Sequence, residues 1–427
     1  MDLISSLSFG LFILLYLWVA YNIPILAIGV RRVLLSRPET ERAEVKKSFN
    51  LPTMSIVVPA RDEERVIGRL LDALLRLDYP PERKEIIIVE DDSNDKTPEI
   101  CMTYAQQHPR LIKFYHRDVS KGKPSALNFG FRHAGGDVVA VFDADNVPEP
   151  DVLMKATRYF EDPSVAAVQG ATAALNADES MLTKLISYEE AVWLRNYLQG
   201  KDALNLFVPL TGSCQFIRKN VAEEVGLWDE NCLAEDLEMS ARMTEMGYST
   251  KFASNLVSWQ EAPSKLSRLI MQRVRWYRGY MEVAIKYGRF LKRLEKKAFD
   301  AEITLLGPYV LTVFLLSHAI SLYVFMFPSP DPFLSIMSRI TLALTILTLL
   351  TVGIALIHAT RPMRFRNILW LPFIYAYLSL QCVLTAYAFL QIVFRRPRSW
   401  VKTEKTGIST TLVSQKFRHS NRQTVAA

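Results

Sequence analysis

The sequence predicts an α/β domain with a mostly parallel, Rossmann-like sheet, joined to α-helical transmembrane segments. Three observations lead to this prediction. Short apolar runs alternate with helical patterns between residues 52 and 263, acidic clusters follow two of those runs, and long apolar stretches lie towards both ends of the 427-residue chain. Alternating strands and helices are typical of a parallel sheet that is covered by helices on both faces.

The middle of the chain contains four predicted strands, at residues 54–59, 85–89, 111–115 and 137–142. Helices are predicted at 63–77, where leucines and an isoleucine recur at helical spacing, and at 123–134, which ends at two glycines. A third helix is predicted to begin at Thr97, followed by Pro98 in its first turn.

Apolar stretches long enough to cross a membrane lie towards both ends. Residues 7–30 are long enough to supply the ~20 residues that a spanning helix needs. Arg31 and Arg32 follow directly, so the amino terminus is expected outside. No basic cluster precedes this stretch and it has no small-residue cleavage site, which favours a permanent anchor over a cleaved signal peptide. Three further apolar runs lie at 303–327, 333–358 and 368–394.

The positive-inside rule gives conflicting signals for the carboxyl end. Arg361, Arg364 and Arg366 place the loop between the last two runs inside, so four crossings would leave the tail outside. The tail nevertheless begins with Arg395 and Arg396. Either the rule fails at the last run, or one run is interfacial or re-entrant.

The predicted organisation has six parts. They are an anchor (1–36), a linker (37–51), the α/β domain (52–263), amphipathic interfacial helices (264–300), three transmembrane helices (301–396) and a basic tail (397–427).

The net charge narrows the classes of binding partner, and the cysteines bear on zinc sites and disulfides. The net charge of +7 fits an anionic lipid surface or a phosphorylated substrate. No basic stripe with interleaved aromatic residues stands out in the middle of the chain, so nucleic acid is not expected as a partner. The four cysteines are widely spaced without a C-x-x-C pair, which indicates neither a zinc site nor a disulfide scaffold.

Two acidic clusters follow predicted strands, at the edge where open parallel sheets bind ligands. Residues 90–92 follow the second strand, and Asp143 and Asp145 follow the fourth. One such cluster alone is better explained as a solvated loop, but two at successive strand ends favour a site. In an extended chain the side chains of Asp143 and Asp145 point the same way. Their oxygens suit Mg²⁺ or Mn²⁺, which also bind a substrate's phosphates.

Five motifs in order resemble glycosyltransferase family 2, and specifically its membrane-bound processive branch. That branch includes the synthases of cellulose, hyaluronan, chitin and poly-N-acetylglucosamine. The motifs are Val58-Pro59-Ala60-Arg61-Asp62-Glu63, Glu90-Asp91-Asp92-Ser93-Asn94-Asp95-Lys96-Thr97, Asp143-Ala144-Asp145, Glu235-Asp236 and Gln272-Arg273-Val274-Arg275-Trp276. The resemblance implies a GT-A fold, a UDP-sugar donor, a Mg²⁺ or Mn²⁺ ion and inversion at the anomeric carbon.

The same resemblance implies roles for the residues on the donor side. The nucleotide pocket would be shaped by Pro59, Ala60, Arg61 and Glu63. Asp91 would bind the uracil, and Lys123 would line the donor pocket. Asp143 would contact the nucleotide, and Asp145 would bind the metal. Two departures from the family pattern are present. Asp62 stands where many relatives have asparagine, and Glu90-Asp91-Asp92 replaces the usual Asp-Asp-Gly. An alignment shifted by one residue would make Asp92 the base contact instead.

On the acceptor side, the resemblance implies that Asp236 is the catalytic base, with Glu235 orienting it. Both acids also open a predicted helix at 235–246, where they would stabilise the helix dipole. Gly212 lies in a segment that resembles the family's acceptor site. It would let a sugar approach closely, although a tight turn explains a glycine equally well.

Gln272, Arg275 and Trp276 have i, i+3, i+4 spacing and would share one helix face. Arginine can bind a diphosphate through paired hydrogen bonds, and tryptophan can stack on a sugar or position the acceptor. The same stretch also fits an interfacial helix whose Arg268, Arg273 and Arg278 face lipid headgroups. We expect one helix to do both.

The leading hypothesis is therefore a processive, multi-pass synthase at the cell membrane, with a cytosolic catalytic domain. It would extend a polysaccharide, with N-acetylglucosamine as the first sugar to test. A single transfer to a lipid acceptor is the alternative, and an accessory membrane subunit is compatible with either. A non-enzymatic membrane protein with a decayed fold should have lost one of Asp143, Asp145, Asp236 or Arg275, and the sequence keeps all four.

Overall fold

The computed structural model describes residues 3–35, 51–288, 295–359, 365–398 and 405–407. The chain divides into two compact units. The helical unit comprises Met1–Glu39, Ala191–Phe207 and Leu269–Val401, and the α/β unit comprises Thr40–Glu190, Val208–Arg268 and Lys402–Ala427. Nearly all of the predicted linker and most of the predicted basic tail lie outside the described residues.

The described part of the α/β unit is built on an eight-stranded sheet with the order β3-β2-β1-β4-β7-β6-β8-β5. The strands are β1 (Met54–Ala60), β2 (Lys84–Asp91), β3 (Ile112–Arg117), β4 (Val138–Val141), β5 (Val147–Pro148), β6 (Val165–Ala174), β7 (Gln215–Arg218) and β8 (Ser249–Gln260). The four predicted strands are confirmed and pair in parallel. The other half is mixed, because β7 runs antiparallel to β4 and β6, and β5 antiparallel to β8.

Helices cover both faces of this sheet, as predicted. They are α2 (Ile67–Leu75), α3 (Thr97–Gln107), α4 (Lys123–Arg132), α5 (Val152–Thr157), α6 (Met181–Glu190), α8 (Lys219–Glu224) and α9 (Glu235–Glu245). Side chains alternate along a strand, so Ile56 and Val58 pack under α2, while Val57 packs on the face that α4 covers.

The parallel register brings the sequence motifs to one edge of the sheet. Ala60 at the end of β1 pairs with Glu90 at the end of β2. Beyond these ends, Asp62 and Asp92 have left-handed backbone conformations, with φ of 53° and 60°. Asp92 therefore takes the conformation that the family's glycine would supply, which aspartate tolerates better than most residues.

The helical unit contains α1 (Leu3–Leu35), a π-helical segment (Ala191–Leu198), α7 (Gln199–Ala203), α11 (Lys296–Met326), α12 (Pro332–Ala359), α13 (Leu371–Val393) and α10 (Leu266–Tyr287) from Leu269 onward. Four segments among the described residues are long and apolar enough to cross a membrane: Phe9–Leu35, Lys296–Met326, Pro332–Ile357 and Phe365–Val393. They coincide with the predicted apolar runs.

Two arginines of α10 differ from expectation. Arg273 and Arg278 were expected to face lipid headgroups, but both are buried in the helical unit. The Arg273 guanidinium lies 4.6 Å from the centre of the Trp276 ring. Arg278 donates to Glu282 at 2.9 Å and to the carbonyl of Arg396 at 2.7 Å. Packing against neighbouring chain segments thus outweighs the amphipathic pattern at these two positions.

The helical unit also contains a completely buried ion pair. Lys201 Nζ lies 2.8 Å from Asp300 Oδ2, and both side chains have no exposed surface. The backbone N–H of Phe207 donates to the same oxygen at 2.8 Å, and the Tyr21 hydroxyl donates to Oδ1 at 2.8 Å. Lys201 also donates to the Thr304 hydroxyl at 2.5 Å. Each charge therefore has close polar partners within the unit.

Candidate active site

The first part of the site lies at the carboxyl end of β2. Asp91 is buried there, and its Oδ2 accepts a hydrogen bond from the Ser120 hydroxyl at 2.6 Å. Arg61 donates to the same hydroxyl at 2.8 Å, and the Arg117 guanidinium lies 3.2 Å from Asp91 Oδ1. Asp91 Oδ1 accepts no hydrogen bond from any described residue. Asp91 is thus positioned to accept a donor from a ligand, whereas Asp92 lies partly exposed in the following turn.

The other residues of the first motif shape the neighbouring backbone. Pro59 and Ala60 end β1, and the backbone N–H of Glu63 donates to the Thr97 hydroxyl at 2.7 Å. Arg69, which the sequence did not single out, is buried nearby and donates to the carbonyl of Asp145 at 2.9 Å. The first contact joins the loop after β1 to the start of α3, and the second joins α2 to the segment after β4.

The acidic pair after β4 binds two lysines. Lys123 Nζ lies 2.8 Å from Asp143 Oδ1, and Lys405 Nζ lies 2.7 Å from Asp145 Oδ2. Burial alone would raise the pKa of Asp145, but the ammonium of Lys405 outweighs it, so that pKa is lowered. Burial would lower the pKa of Lys405, yet Asp145 raises it. Both groups are therefore charged at neutral pH.

Lys405 belongs to a short segment that docks beside the acidic pair. The Glu261 carboxylate accepts hydrogen bonds from the Thr406 N–H at 2.5 Å, the Thr406 hydroxyl at 2.6 Å and the Gly407 N–H at 3.1 Å. Lys405 itself donates to the Glu261 carbonyl at 2.8 Å. The sequence analysis missed these residues, because one lysine in a basic tail carries no signal for a contact 144 residues away.

Asp236 lies at the start of α9, on the side of the site that the sequence predicts to hold the acceptor. Its Oδ1 accepts hydrogen bonds from Gln215 Nε2 at 2.7 Å and from Trp228 Nε1 at 2.9 Å. Its Oδ2 faces Gly212, where an added Cβ would come within 2.9 Å of that oxygen. Gly212 also has a φ of 94°, which agrees with the explanation as a tight turn, while the close approach of a sugar stays a prediction.

Lys123 connects the donor and acceptor sides. Besides Asp143, its ammonium donates to the Gly212 carbonyl at 3.0 Å and lies 4.0 Å from Glu235 Oε1. Burial would lower the pKa of Lys123, but Asp143, Asp236 and Glu235 together raise it. One permanent cation is therefore shared by three carboxylates.

A divalent ion fits the acidic pair if a substrate completes its coordination. No group of three or more potential ligands was found among the described His, Cys, Asp and Glu residues. Asp143 and Asp145 supply hard oxygen ligands, and the ammonium of Lys405 already stands in for a cation at Asp145 Oδ2. Mg²⁺ and Mn²⁺ commonly take the remaining ligands from water and substrate phosphates.

Three predicted residues lie in the other unit. Gln272, Arg275 and Trp276 belong to α10 of the helical unit. The Trp276 side chain is partly exposed and stacks under Arg273. Their roles towards a diphosphate or an acceptor remain predictions.

Comparison with known proteins agrees with this arrangement. The family model described as "Glycosyltransferase like family 2" matches residues 52–279. The chain is 33% identical over 250 residues to the probable glycosyltransferase YdaM of Bacillus subtilis, covering 58% of this chain and 60% of that protein. It is 30% identical over 294 residues to the beta-monoglucosyldiacylglycerol synthase of Nostoc sp., covering 67% and 62%.

A third relative comes from polysaccharide synthesis. The chain is 28% identical over 256 residues to the poly-beta-1,6-N-acetyl-D-glucosamine synthase of Staphylococcus epidermidis, covering 60% of this chain and 59% of that protein. The match thus spans about three fifths of the length of each of these relatives. Among solved structures, the mannosyltransferase of Pyrobaculum calidifontis in complex with GDP-Man and Mn²⁺ matches with a TM-score of 0.60 and 18% identity, covering 92% of this chain and 100% of that one. This likeness supports the GT-A fold.

Proposed function

The chain belongs to glycosyltransferase family 2 and is a glycosyltransferase, and from this premise we propose that it transfers a sugar from a UDP-sugar, with inversion, to an acceptor at the membrane. One observation carries the proposal. The Lys123 ammonium lies between Asp143 of the acidic pair and the Gly212 carbonyl, beside the predicted base Asp236. Donor-side and acceptor-side groups therefore line one cluster.

The chemistry follows from the charges in this cluster. Asp236 Oδ2 takes the proton of the acceptor hydroxyl as its oxygen attacks the anomeric carbon, a contribution of roughly 10²–10⁴-fold. The bond to the diphosphate oxygen breaks, and Lys123 and Lys405 supply positive charge beside the acidic pair. A divalent ion held by Asp143 and Asp145 would offset the negative charge of the departing UDP.

Asp91 supports uracil as the base of the donor. Its buried Oδ1 has the Arg117 guanidinium 3.2 Å away as an ion-pair partner but accepts no hydrogen bond from the described residues, so a ligand that brings a hydrogen-bond donor would complete its bonding. The imide N–H of uracil is such a donor, and cytosine has no equivalent proton. The position of Asp91 in the family motif agrees with this assignment.

For the acceptor, we favour a growing polysaccharide, extended processively and coupled to export. The Q-x-x-R-W motif on α10 and the relative that makes poly-N-acetylglucosamine support this choice, with UDP-N-acetylglucosamine as the first donor to test. A lipid acceptor is the second candidate. Relatives named beta-monoglucosyldiacylglycerol synthase are 30–33% identical to the chain, compared with 28–29% for the poly-N-acetylglucosamine synthases.

The contact of Lys405 also bears on the membrane topology. We propose that the chain crosses the membrane an even number of times between the α/β unit and the tail. Residues 405–407 bind Asp145 and Glu261, so they lie on the catalytic side. The segment before them carries Arg395 and Arg396, and each charge at the bilayer centre costs about 2.5–3.5 kcal/mol on insertion scales. These charges disfavour a crossing after α13, and we therefore propose that α13 ends on the catalytic side.

Two of the three carboxyl-terminal helices then cross the membrane, and the positions of the basic residues suggest which two. Arg366 precedes α13 and Arg395 follows it, so both ends carry the inside signal. We propose that α11 and α12 cross and that α13 is interfacial or re-entrant, with the amino terminus outside and the catalytic domain cytosolic. Labelling intact cells with an impermeant maleimide should modify Ser329→Cys between α11 and α12. It should spare Arg398→Cys and the control Gln107→Cys, and labelling of Arg398→Cys from outside would overturn the assignment.

The catalytic proposal is tested with the full-length protein in detergent or nanodiscs. UDP release should require both a UDP-sugar and Mg²⁺ or Mn²⁺, and should stop with EDTA. Asp236→Asn should lower transfer by about 10²–10⁴-fold while UDP binding persists; Glu245→Gln, at the other end of α9, serves as control. A product ladder would support the polysaccharide, and a single addition to lipid the second candidate. Normal turnover of Asp236→Asn, or no release from any common UDP-sugar, would refute the proposal.

A further inference from the structure

The two oxygens of Asp236 have different surroundings. Oδ1 accepts hydrogen bonds from both Gln215 and Trp228, whereas Oδ2 lies beside Gly212, where an added Cβ would come within 2.9 Å of it. Gln215 and Trp228 are neutral donors, so they stabilise the negative charge of the carboxylate without cancelling it. The sequence predicts no role for either side chain, although Gln215 ends the segment 211–215, which resembles the poly-N-acetylglucosamine synthases.

Both donors are held rigidly. Gln215 is completely buried on β7, between β4 and β6. The indole of Trp228 is 2% exposed, and its ring packs edge-to-face on Phe131 with 5.9 Å between ring centres. Trp228 is also fixed through its backbone, because its N–H and carbonyl bond the side-chain amide of Asn128 at 3.0 and 2.9 Å. The direction of the carboxylate is therefore set before any acceptor binds.

We propose that Gln215 and Trp228 are positioning residues that hold Oδ1 of Asp236 and thereby reserve Oδ2 for the proton of the acceptor hydroxyl. This inference rests on the proposed function. In the step itself, the hydroxyl proton moves to Oδ2 and the hydroxyl oxygen bonds to the anomeric carbon. The bond from that carbon to the phosphate oxygen breaks, and its electron pair leaves with UDP. A carboxylate free to rotate would present its basic oxygen in the required direction for only part of the time.

The first test removes each hydrogen bond to Oδ1 of Asp236 with little change in the shape of the side chain. Gln215→Met keeps the length of the side chain, and Trp228→Phe keeps an aromatic ring. Each should lower kcat by about 10-fold to 100-fold, the range expected when a hydrogen bond to a charged group is lost. The KM for the UDP-sugar and the Kd for UDP should stay within about twofold of wild type, because no donor-side residue changes. Trp259→Phe, another tryptophan of the α/β unit, is the matched control and should keep kcat.

A second test separates positioning from general damage to the fold. In an Asp236→Asn background, Gln215→Met and Trp228→Phe should cause no further loss of the residual rate, because both act through that carboxylate. Gln215→Asn retains an amide that is one methylene too short to reach Oδ1, so it should lose kcat as Gln215→Met does. Equal further losses in the Asp236→Asn background, or wild-type activity of Gln215→Asn, would overturn the proposal.

The outcomes also distinguish this inference from the function on which it rests. If Asp236→Asn keeps normal turnover, the base is wrong and the proposed function fails. If Asp236→Asn is inactive while Gln215→Met and Trp228→Phe have wild-type kcat, the function stands and only the positioning role is wrong. A loss of UDP binding in Gln215→Met or Trp228→Phe would indicate unfolding. The kcat of Gln215→Asn would then decide whether the positioning role is correct.

Discussion

Two lysine-centred clusters in this protein look alike but differ in how their charges are balanced. Lys201 in the helical unit pairs with Asp300 alone, and backbone and hydroxyl groups satisfy the rest of that carboxylate. Lys123 in the α/β unit is shared by Asp143, Glu235 and Asp236. The first cluster is closed and neutral, whereas the second has three carboxylates for one ammonium, and its Asp143 side chain is 35% exposed.

The difference separates a structural role from a catalytic one. Burying a neutral, fully bonded ion pair makes the folded state depend on both partners. An acidic cluster with one shared cation instead favours further cations and groups that donate protons or hydrogen bonds. Changes in the two clusters should therefore affect different measurements.

The largest effect is expected when the closed cluster is broken. Lys201→Met leaves Asp300 buried without its counter-charge, which should lower the free energy of unfolding by about 3–5 kcal/mol. The double variant Lys201→Met/Asp300→Leu should recover most of that loss, because no charge stays buried. Thermal unfolding in detergent measures both. Full stability of the single variant would show that this pair does not hold the fold.

Lys123→Met should have its main effect on catalysis. Removal of the shared cation leaves three carboxylates repelling one another and the departing diphosphate, so kcat should fall by about 10²–10³-fold. The melting temperature should change much less than in Lys201→Met, because Asp143 and Glu235 are not fully buried. UDP-release kinetics and thermal unfolding on the same samples check this contrast, which a large loss of stability would contradict.

Gly212→Ala tests the space between the two sides of the cluster. Its Cβ would lie 2.9 Å from Asp236 Oδ2, so kcat should fall by about 10-fold to 100-fold as the acceptor is displaced. Gly247→Ala is a matched control: its φ of 87° is similar, but nothing lies within 4 Å of the added Cβ. Equal losses in the two variants would assign the effect to backbone strain instead.

Lys405→Met tests the second lysine of the catalytic region. The loss of its ammonium beside Asp145 should raise the KM for the UDP-sugar by about 10-fold, the size of one charge-assisted contact. Lys155→Met breaks a surface ion pair with Asp151 and should leave the KM unchanged. Initial rates at varied donor concentration measure both. An unchanged KM in Lys405→Met would remove this residue from donor binding.

The smallest expected effect concerns His116, whose hydrogen bond with the buried Glu90 raises the pKa of the imidazole. A raised pKa contributes stability that is fully present below the ordinary histidine value of about 6.5 and is lost as pH rises through the folded value. His116→Gln should therefore destabilise the protein more at pH 5.5 than at pH 9, by less than about 1 kcal/mol because the imidazole is half-exposed. Denaturant unfolding at the two pH values measures the difference, and an equal loss at both would contradict it.

Much of the fold could be predicted from the sequence because the signals are local. Short continuous apolar runs specify β1 and β2, and the parallel order of strands brings Asp91, Asp143 and Asp145 to one edge. The antiparallel placement of β7 could not be predicted, because its four residues have no pattern of their own and pair with strands far away in the chain.

The candidate site was only partly predictable for the same reason. Asp236 belongs to a motif, but its partners Gln215 and Trp228 look like ordinary residues of a buried strand and a turn. The prediction that Arg273 and Arg278 face lipid headgroups was wrong. Their spacing on α10 suggests an exposed face, but tertiary packing buries them. Pairwise contacts between distant segments decide such positions, and hydropathy does not encode those contacts.

Because Thr406 and Gly407 dock on Glu261, the residue at which the carboxyl terminus is truncated should affect the activity of the enzyme. A recombinant protein that stops at residue 404 would lose the ammonium beside Asp145, whereas one that stops at residue 407 would keep it. Trimming for purification, or replacing the end of the chain with an affinity handle, should therefore begin after Gly407.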